Sequence, residues 1–165
     1  MEPALFKTQV FSDDRGTFFP LPLNNSWVQS NISISEQWTF RGLHHQKGET
    51  AQSKLVTVVR GVIFDIIVDL RGSNFGTVHA FELRPGEQIY VPKGFAHGFL
   101  AMARETIVQY VVDSPYSPGT EVCFNWKSID HVREEVLNRV GDESRLIISQ
   151  KDAAGVDLSS TVLSI

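Results

Sequence analysis

The chain has 165 residues, 42% hydrophobic and 21% charged, enough for one domain with a real core. A net charge of −4, with no basic run and no stripe of interleaved aromatic and basic residues, argues against nucleic acid as a partner. The single cysteine, Cys123, excludes an internal disulfide, and no signal pattern or membrane-length apolar run is present, so the expected setting is cytoplasmic, with no membrane partner.

In chain order, Lys7–Phe11 reads as a first strand, followed by the turn signal Asp13-Asp14-Arg15-Gly16. Trp27–Ile34 is the next β-rich run, and Leu55–Arg60 and Val62–Leu70 form two strands around Gly61. In the second of these, Val62, Phe64, Ile66, Val68 and Leu70 share one face while Asp65 and Asp69 take the other. Further strands are expected at Val78–Leu83, Gln88–Val91, Gly98–Ala101, Thr106–Val112 and Val122–Trp126, punctuated by Arg84-Pro85-Gly86 and Ser117-Pro118-Gly119. Helical spacing of Ile129, Val132, Val136, Leu137 and Val140 predicts one helix over about Ser128–Val140, stopped by Gly141. Many short strands with Gly/Pro punctuation and one late helix point to an all-β sandwich or jelly roll spanning residues 1–165 as one domain.

Gly86 to His97 carries the spacing G-x5-P-x-G-x2-H, which resembles the second cupin signature. In metal-dependent cupins that histidine joins two others and a glutamate from an earlier strand. Where the glutamate would fall, seven residues before Gly61, this chain has Lys54. An ammonium there repels a divalent ion, so no metal is expected. Cys123 is read as a small buried hydrophobe and His79 and His131 as surface residues.

Six motifs in order extend the resemblance. Asp14-Arg15-Gly16-x-Phe18, Arg41-Gly-Leu-His44-His45-Gln46, Lys54-Leu-Val, Val68-Asp-Leu-Arg71, Pro92-x-Gly-Phe-Ala-His-Gly-Phe-Leu100 and Ser149-Gln-Lys-Asp152 together look like the dTDP-4-dehydrorhamnose 3,5-epimerase family. The resemblance implies a cupin-like jelly-roll barrel with a short C-terminal helix, no cofactor, a homodimer, and a nucleotide-sugar substrate. It implies an isomerase inverting C3, C5 or both in a dTDP-4-keto-6-deoxyhexose, a step in rhamnose and polysaccharide biosynthesis. His44 would be the base, Asp152 its orienting carboxylate, Lys54 the donor to the enolate oxygen and Tyr110 the acid. Arg15 and Arg41 match diphosphate-binding positions, Gln29, Asn31 and Tyr116 match residues near the nucleotide, and His97 is a further pocket residue. Inverting a carbon next to a ketone needs such a set: a base, an acid across the ring, and a donor where negative charge develops.

Plainer readings stand beside each role. Lys54 could be a solvated edge lysine, Tyr110 barrel lining, Asp152 the cap of a C-terminal turn, and His97 a packed remnant of a metal site. A metal-dependent cupin using His44, His45, Glu49 and His97 is disfavoured, because adjacent strand residues point to opposite faces. A non-catalytic sugar-nucleotide binder, a C3-only epimerase and a 3,4-ketoisomerase are the remaining alternatives. Phe19-Pro20 after Phe18, His45 in place of an aromatic, and Pro115 depart from the family pattern and touch its binding frame.

Overall fold

The computed structural model describes residues 1–7, 11–13, 16–18 and 26–161. Its strands are β1 (Ala4–Lys7), β2 (Phe11–Asp13), β3 (Gly16–Phe18), β4 (Gln29–Ser35), β5 (Thr39–Gln46), β6 (Lys54–Arg60), β7 (Ile63–Asp69), β8 (Val78–Leu83), β9 (Glu87–Val91), β10 (Phe95–Ala101), β11 (Thr106–Val112), β12 (Glu121–Cys123) and β13 (Ile147–Ile148). The helices are α1 (Asp130–Val140), α2 (Gln150–Ala153) and α3 (Leu158–Thr161). One sheet runs β1-β9-β6-β11-β4 and the other β12-β5-β10-β7-β8, with β13 parallel to β5; β2 and β3 pair as a hairpin.

Alternation along the strands divides the apolar residues between two cores. Val56 and Val58 of β6, Ile89 and Val91 of β9 and Val108 of β11 pack against Ile63 and Ile67 of β7 and Phe95 and Phe99 of β10, between the sheets. On the other face of the second sheet, Phe64, Ile66 and Val68 meet Leu43, Leu100, Phe124 and Trp126 beneath α1. Val132, Val136 and Val140 recur at helical spacing and are buried there. Each such burial contributes roughly 1.5–3 kcal/mol. Gly141, at φ +79°, ends the helix with its N–H donated to the Leu137 carbonyl at 2.8 Å.

The jelly roll is as expected, with one omission that matters. Thr39–Gln46 is a strand that alternation does not announce, because Gly42 (φ +123°) breaks its pleat. Gly42 and Gly98 let β5 and β10 approach unusually closely. A Cβ on Gly42 would lie 2.6 Å from Gly98 Cα, and one on Gly98 would lie 2.5 Å from the Arg41 carbonyl oxygen. The ladder shifts register between His97 and Phe99, the two residues flanking Gly98. Strand β10 also begins earlier than expected, at Phe95, and β12 ends at Cys123 before a short 3-10 turn over Trp126–Ser128. The expected strand Lys7–Phe11 lies partly outside the described residues; β1 ends at Lys7.

Candidate active site

Beyond the apolar core, the inward positions turn polar. Register places Tyr110 opposite Asn31 on one side and Val56 on the other, so Asn31, Tyr110, Val56 and, two residues along, Lys54 share one face. Across the barrel, His44 lies opposite His97 and Cys123. Of these, Asn31, Tyr110, Lys54, His44 and His97 border a cleft with two lobes. One, of about 310 Å³, is lined by Gln29, Asn31, Gln52, Tyr116 and Glu121; the other, of about 500 Å³, by Arg41, His97, Ser149, Lys151 and Asp152. His44, Lys54 and Tyr110 line both lobes and stand where they join.

His44 Nε2 lies 2.7 Å from Asp152 Oδ1, and Gly42 N–H donates to Asp152 Oδ2 at 3.2 Å. Asp152 does not cap its turn. Ser149 does, accepting the Asp152 N–H at 3.1 Å and leaving the carboxylate free to reach β5. Burial pushes the Asp152 carboxyl up, but its bonds to His44, Gly42 and Cys123 prevail and hold it below the ordinary range. An ionised acceptor draws the imidazole proton to Nε2 and leaves Nδ1 able to take another.

Lys54 is no edge residue, since β6 lies mid-sheet. Burial brings its pKa down to about 8, against the opposing pull of Glu121 and Asp65. Tyr110 is also held by burial, above its usual value, with the Arg41 charge opposing. His97, 7% exposed, has its Nε2 2.8 Å from Asp65 Oδ1, so a second histidine–carboxylate pair backs the larger lobe. Asp65 is wholly buried and its Oδ2 has no hydrogen-bond partner among the described residues.

The smaller lobe is tied together by side chains. Gln29 donates to Asn31 Oδ1 at 2.7 Å and accepts the Tyr116 N–H at 3.1 Å, while the Tyr116 hydroxyl donates to Glu121 at 2.8 Å. Glu121 in turn pairs with Lys151. Arg41 is exposed at the mouth of the larger lobe, with Nε donating to Ser35 Oγ at 3.1 Å. Arg15 lies outside the described residues. His45 borders the same lobe as His44, where alternation alone predicts the opposite face; its Nδ1 is 3.3 Å from the Phe95 carbonyl oxygen, and burial lowers its pKa.

Sequence reasoning passed over Asp65, Glu121, Lys151 and Cys123. Asp65 carried a signal, since a lone carboxylate within an apolar strand has to find a partner when the strand is covered on both faces. Cys123 is half-buried with its Sγ 3.6 Å from Asp152 Oδ1, so it adjoins the site and is not simply core. His79 is half-buried too, its ring edge-on to Phe95 at 6.2 Å, whereas His131 is exposed as expected.

The metal position of cupins does not fit these residues. Lys54 stands where the cupin resemblance puts a carboxylate ligand, and an ammonium there repels a divalent ion.

The family model described as dTDP-4-dehydrorhamnose 3,5-epimerase matches residues 2–160. A protein of that name from Methanothermobacter thermautotrophicus is 37% identical over 161 residues, covering 90% of this chain and 85% of its own. The crystal structure of dTDP-4-dehydrorhamnose 3,5-epimerase from Elizabethkingia anophelis superposes with a TM-score of 0.80 at 33% identity, over 96% of this chain and 92% of that one. A dTDP-6-deoxy-D-glucose-3,5-epimerase from Legionella pneumophila, in complex with dTDP-4-keto-L-rhamnose, has a TM-score of 0.80 at 27% identity, over 95% and 88% of the two chains.

Proposed function

The chain belongs to the dTDP-4-dehydrorhamnose 3,5-epimerase family, and from that membership we propose that it is an isomerase inverting C3, C5 or both of a dTDP-4-keto-6-deoxyhexose. The observation that carries the reading is the His44–Asp152 pair facing a cleft that Lys54 and Tyr110 also enter.

His44 Nδ1 takes the proton next to the ketone, and the ionised Asp152 stabilises the imidazolium that results. Electrons from the broken C–H bond move onto the ketone oxygen. There the Lys54 ammonium compensates the developing charge, a role typically worth about 2.7–4 kcal/mol. Tyr110 delivers a proton to the opposite face of the carbon, and water restores the protonation states before the next turnover. The substrate's own carbonyl is the electron sink, so the chain's side chains suffice. Arg41 binds the diphosphate through its guanidinium fork, a role the family resemblance also gives to Arg15. Gln29, Asn31 and Tyr116 hold the nucleotide, and His97 borders the sugar.

The test is solvent-deuterium exchange over a panel of nucleotide 4-keto sugars. The parent enzyme should incorporate deuterium at the carbons it inverts, and His44→Ala should incorporate none. Wild-type exchange in His44→Ala would overturn the assignment of the base.

The working form is a homodimer. Val28, Ile32 and Ile34 are 60%, 68% and 66% exposed, and the last two lie on the outer face of β4, the end strand of its sheet among the described residues. A second copy paired about a two-fold axis covers them. No helix among the described residues is long and apolar enough to cross a membrane. The free thiol of Cys123 suits the reducing cytoplasm.

A further inference from the structure

Cys123 takes no proton in the proposed epimerisation, yet it is built against the base and its carboxylate. Strand pairing sets Cys123 opposite His44, and one donor atom each from His44, Cys123 and Asp152 falls within 4.8 Å of the others. Imidazole nitrogen, sulfur and carboxylate oxygen form a donor set suited to zinc-like ions. We propose that His44 Nε2, Cys123 Sγ and Asp152 Oδ1 are a binding site for a thiophilic divalent cation, Zn²⁺ or Cd²⁺, whose occupancy switches the enzyme off.

Two of the three donor separations can be compared with those around a bound ion. With bonds of about 2.0–2.3 Å, neighbouring donors around a tetrahedral ion stand roughly 3.3–3.6 Å apart. The Cys123 sulfur is already 3.6 Å from Asp152 Oδ1, and the His44–Asp152 separation of 2.7 Å has to open by about half an ångström. Cys123 also lines a third pocket of about 500 Å³, with Lys47, Glu121, Lys151 and Gly155.

The proton balance explains the inhibition. Binding displaces the Sγ proton to solvent, giving a thiolate–metal bond. The ring stays neutral, but its proton moves from Nε2, now a metal ligand, to Nδ1. That nitrogen is the one proposed to accept the substrate's proton, so the base arrives already occupied. Metal binding itself rests only on the side-chain geometry, while the inhibition rests on the proposed function.

The test uses the full-length protein freed of metals by chelation. Cd²⁺ titration should raise a thiolate-to-cadmium ultraviolet band that saturates at one equivalent per chain, and Cys123→Ala should show none. His44→Gln, which keeps the thiol, should bind Cd²⁺ more weakly by at least the roughly 10–100-fold that loss of even an outer-shell partner costs. Absence of the band in the wild type, or unchanged affinity in His44→Gln, overturns the site. Zn²⁺ should inhibit exchange in the wild type, and the turnover of Cys123→Ala, measured against its own metal-free rate, should resist inhibition. A saturated band with undiminished turnover overturns the switch. Should the chain turn over no 4-keto sugar, the proposed function fails while the cadmium band still decides the site.

Discussion

Asp152 reaches His44 across 108 positions of sequence, placing its Oδ1 2.7 Å from the ring Nε2 while its Oδ2 accepts the Gly42 N–H at 3.2 Å. Both oxygens therefore face donors, and an amide cannot satisfy the two at once. In Asp152→Asn, either the amide N–H₂ opposes the Gly42 N–H, or it faces His44 and forces the ring proton onto Nδ1. Exchange at both carbons should fall by about 10²–10⁴-fold, the usual worth of an acid–base group, with KM little changed. Deuterium incorporation followed by NMR reads this. Wild-type exchange in the variant would remove Asp152 from the mechanism.

Tyr110→Phe should separate two steps that the parent enzyme couples. Tyr110 enters the cleft from β11, in the sheet opposite the one that carries His44. Without its hydroxyl, His44 can still remove a proton and return it to the same face. Exchange with retention should persist while inverted product falls by about 10²-fold or more. Normal inversion would mean that water or another group supplies the second proton.

Much of the site was legible because its residue types are unusual where they stand. Lys54 in a cupin-like barrel, the spacing up to His97, and a late Ser-Gln-Lys-Asp each carry meaning without coordinates. What was hidden depends on contacts across the sheet. Strand β5 escaped notice because the Gly42–Gly98 approach breaks its alternation, and only the fold reveals why both residues are glycine. Asp65 sat on the face that alternation left as polar, yet both faces of β7 are buried, so its carboxylate points into the barrel and meets His97. Cys123 fell within the expected strand Val122–Trp126, but its contact with Asp152 joins distant segments, and Glu121 lay just outside that run.

Ile32→Asp combined with Ile34→Asp should yield a monomer. The two side chains, 68% and 66% exposed, lie on one face of β4. Carboxylates there would lose apolar burial and face like charges across a two-fold axis. Light scattering at micromolar concentration should give the dimer mass for the parent and half of it for the variant. A monomeric parent with full activity would overturn the dimer.

Lys54 should set both an activity limb and a stability cost, with signs that can be checked together. Burial lowers its pKa from 10.5 to about 8, so the folded state favours the neutral amine more than the unfolded chain does. The resulting destabilisation is fully present below the folded value, declines as pH rises, and vanishes above 10.5. A shift of this size corresponds to at most on the order of 3 kcal/mol. Lys54→Met should therefore be more stable than the parent near pH 7 by up to about that amount, with the difference shrinking as denaturant titrations move to alkaline pH. Activity runs the other way. The enolate needs the charged amine, so kcat/KM, which reports the free enzyme, should fall as pH rises through about 8. Lys54→Met should lose about 10²–10³-fold in turnover, as removal of an oxyanion donor does. A variant less stable than the parent near neutrality, or a parent profile flat past pH 9, would show that Lys54 is not a buried ammonium acting on the enolate.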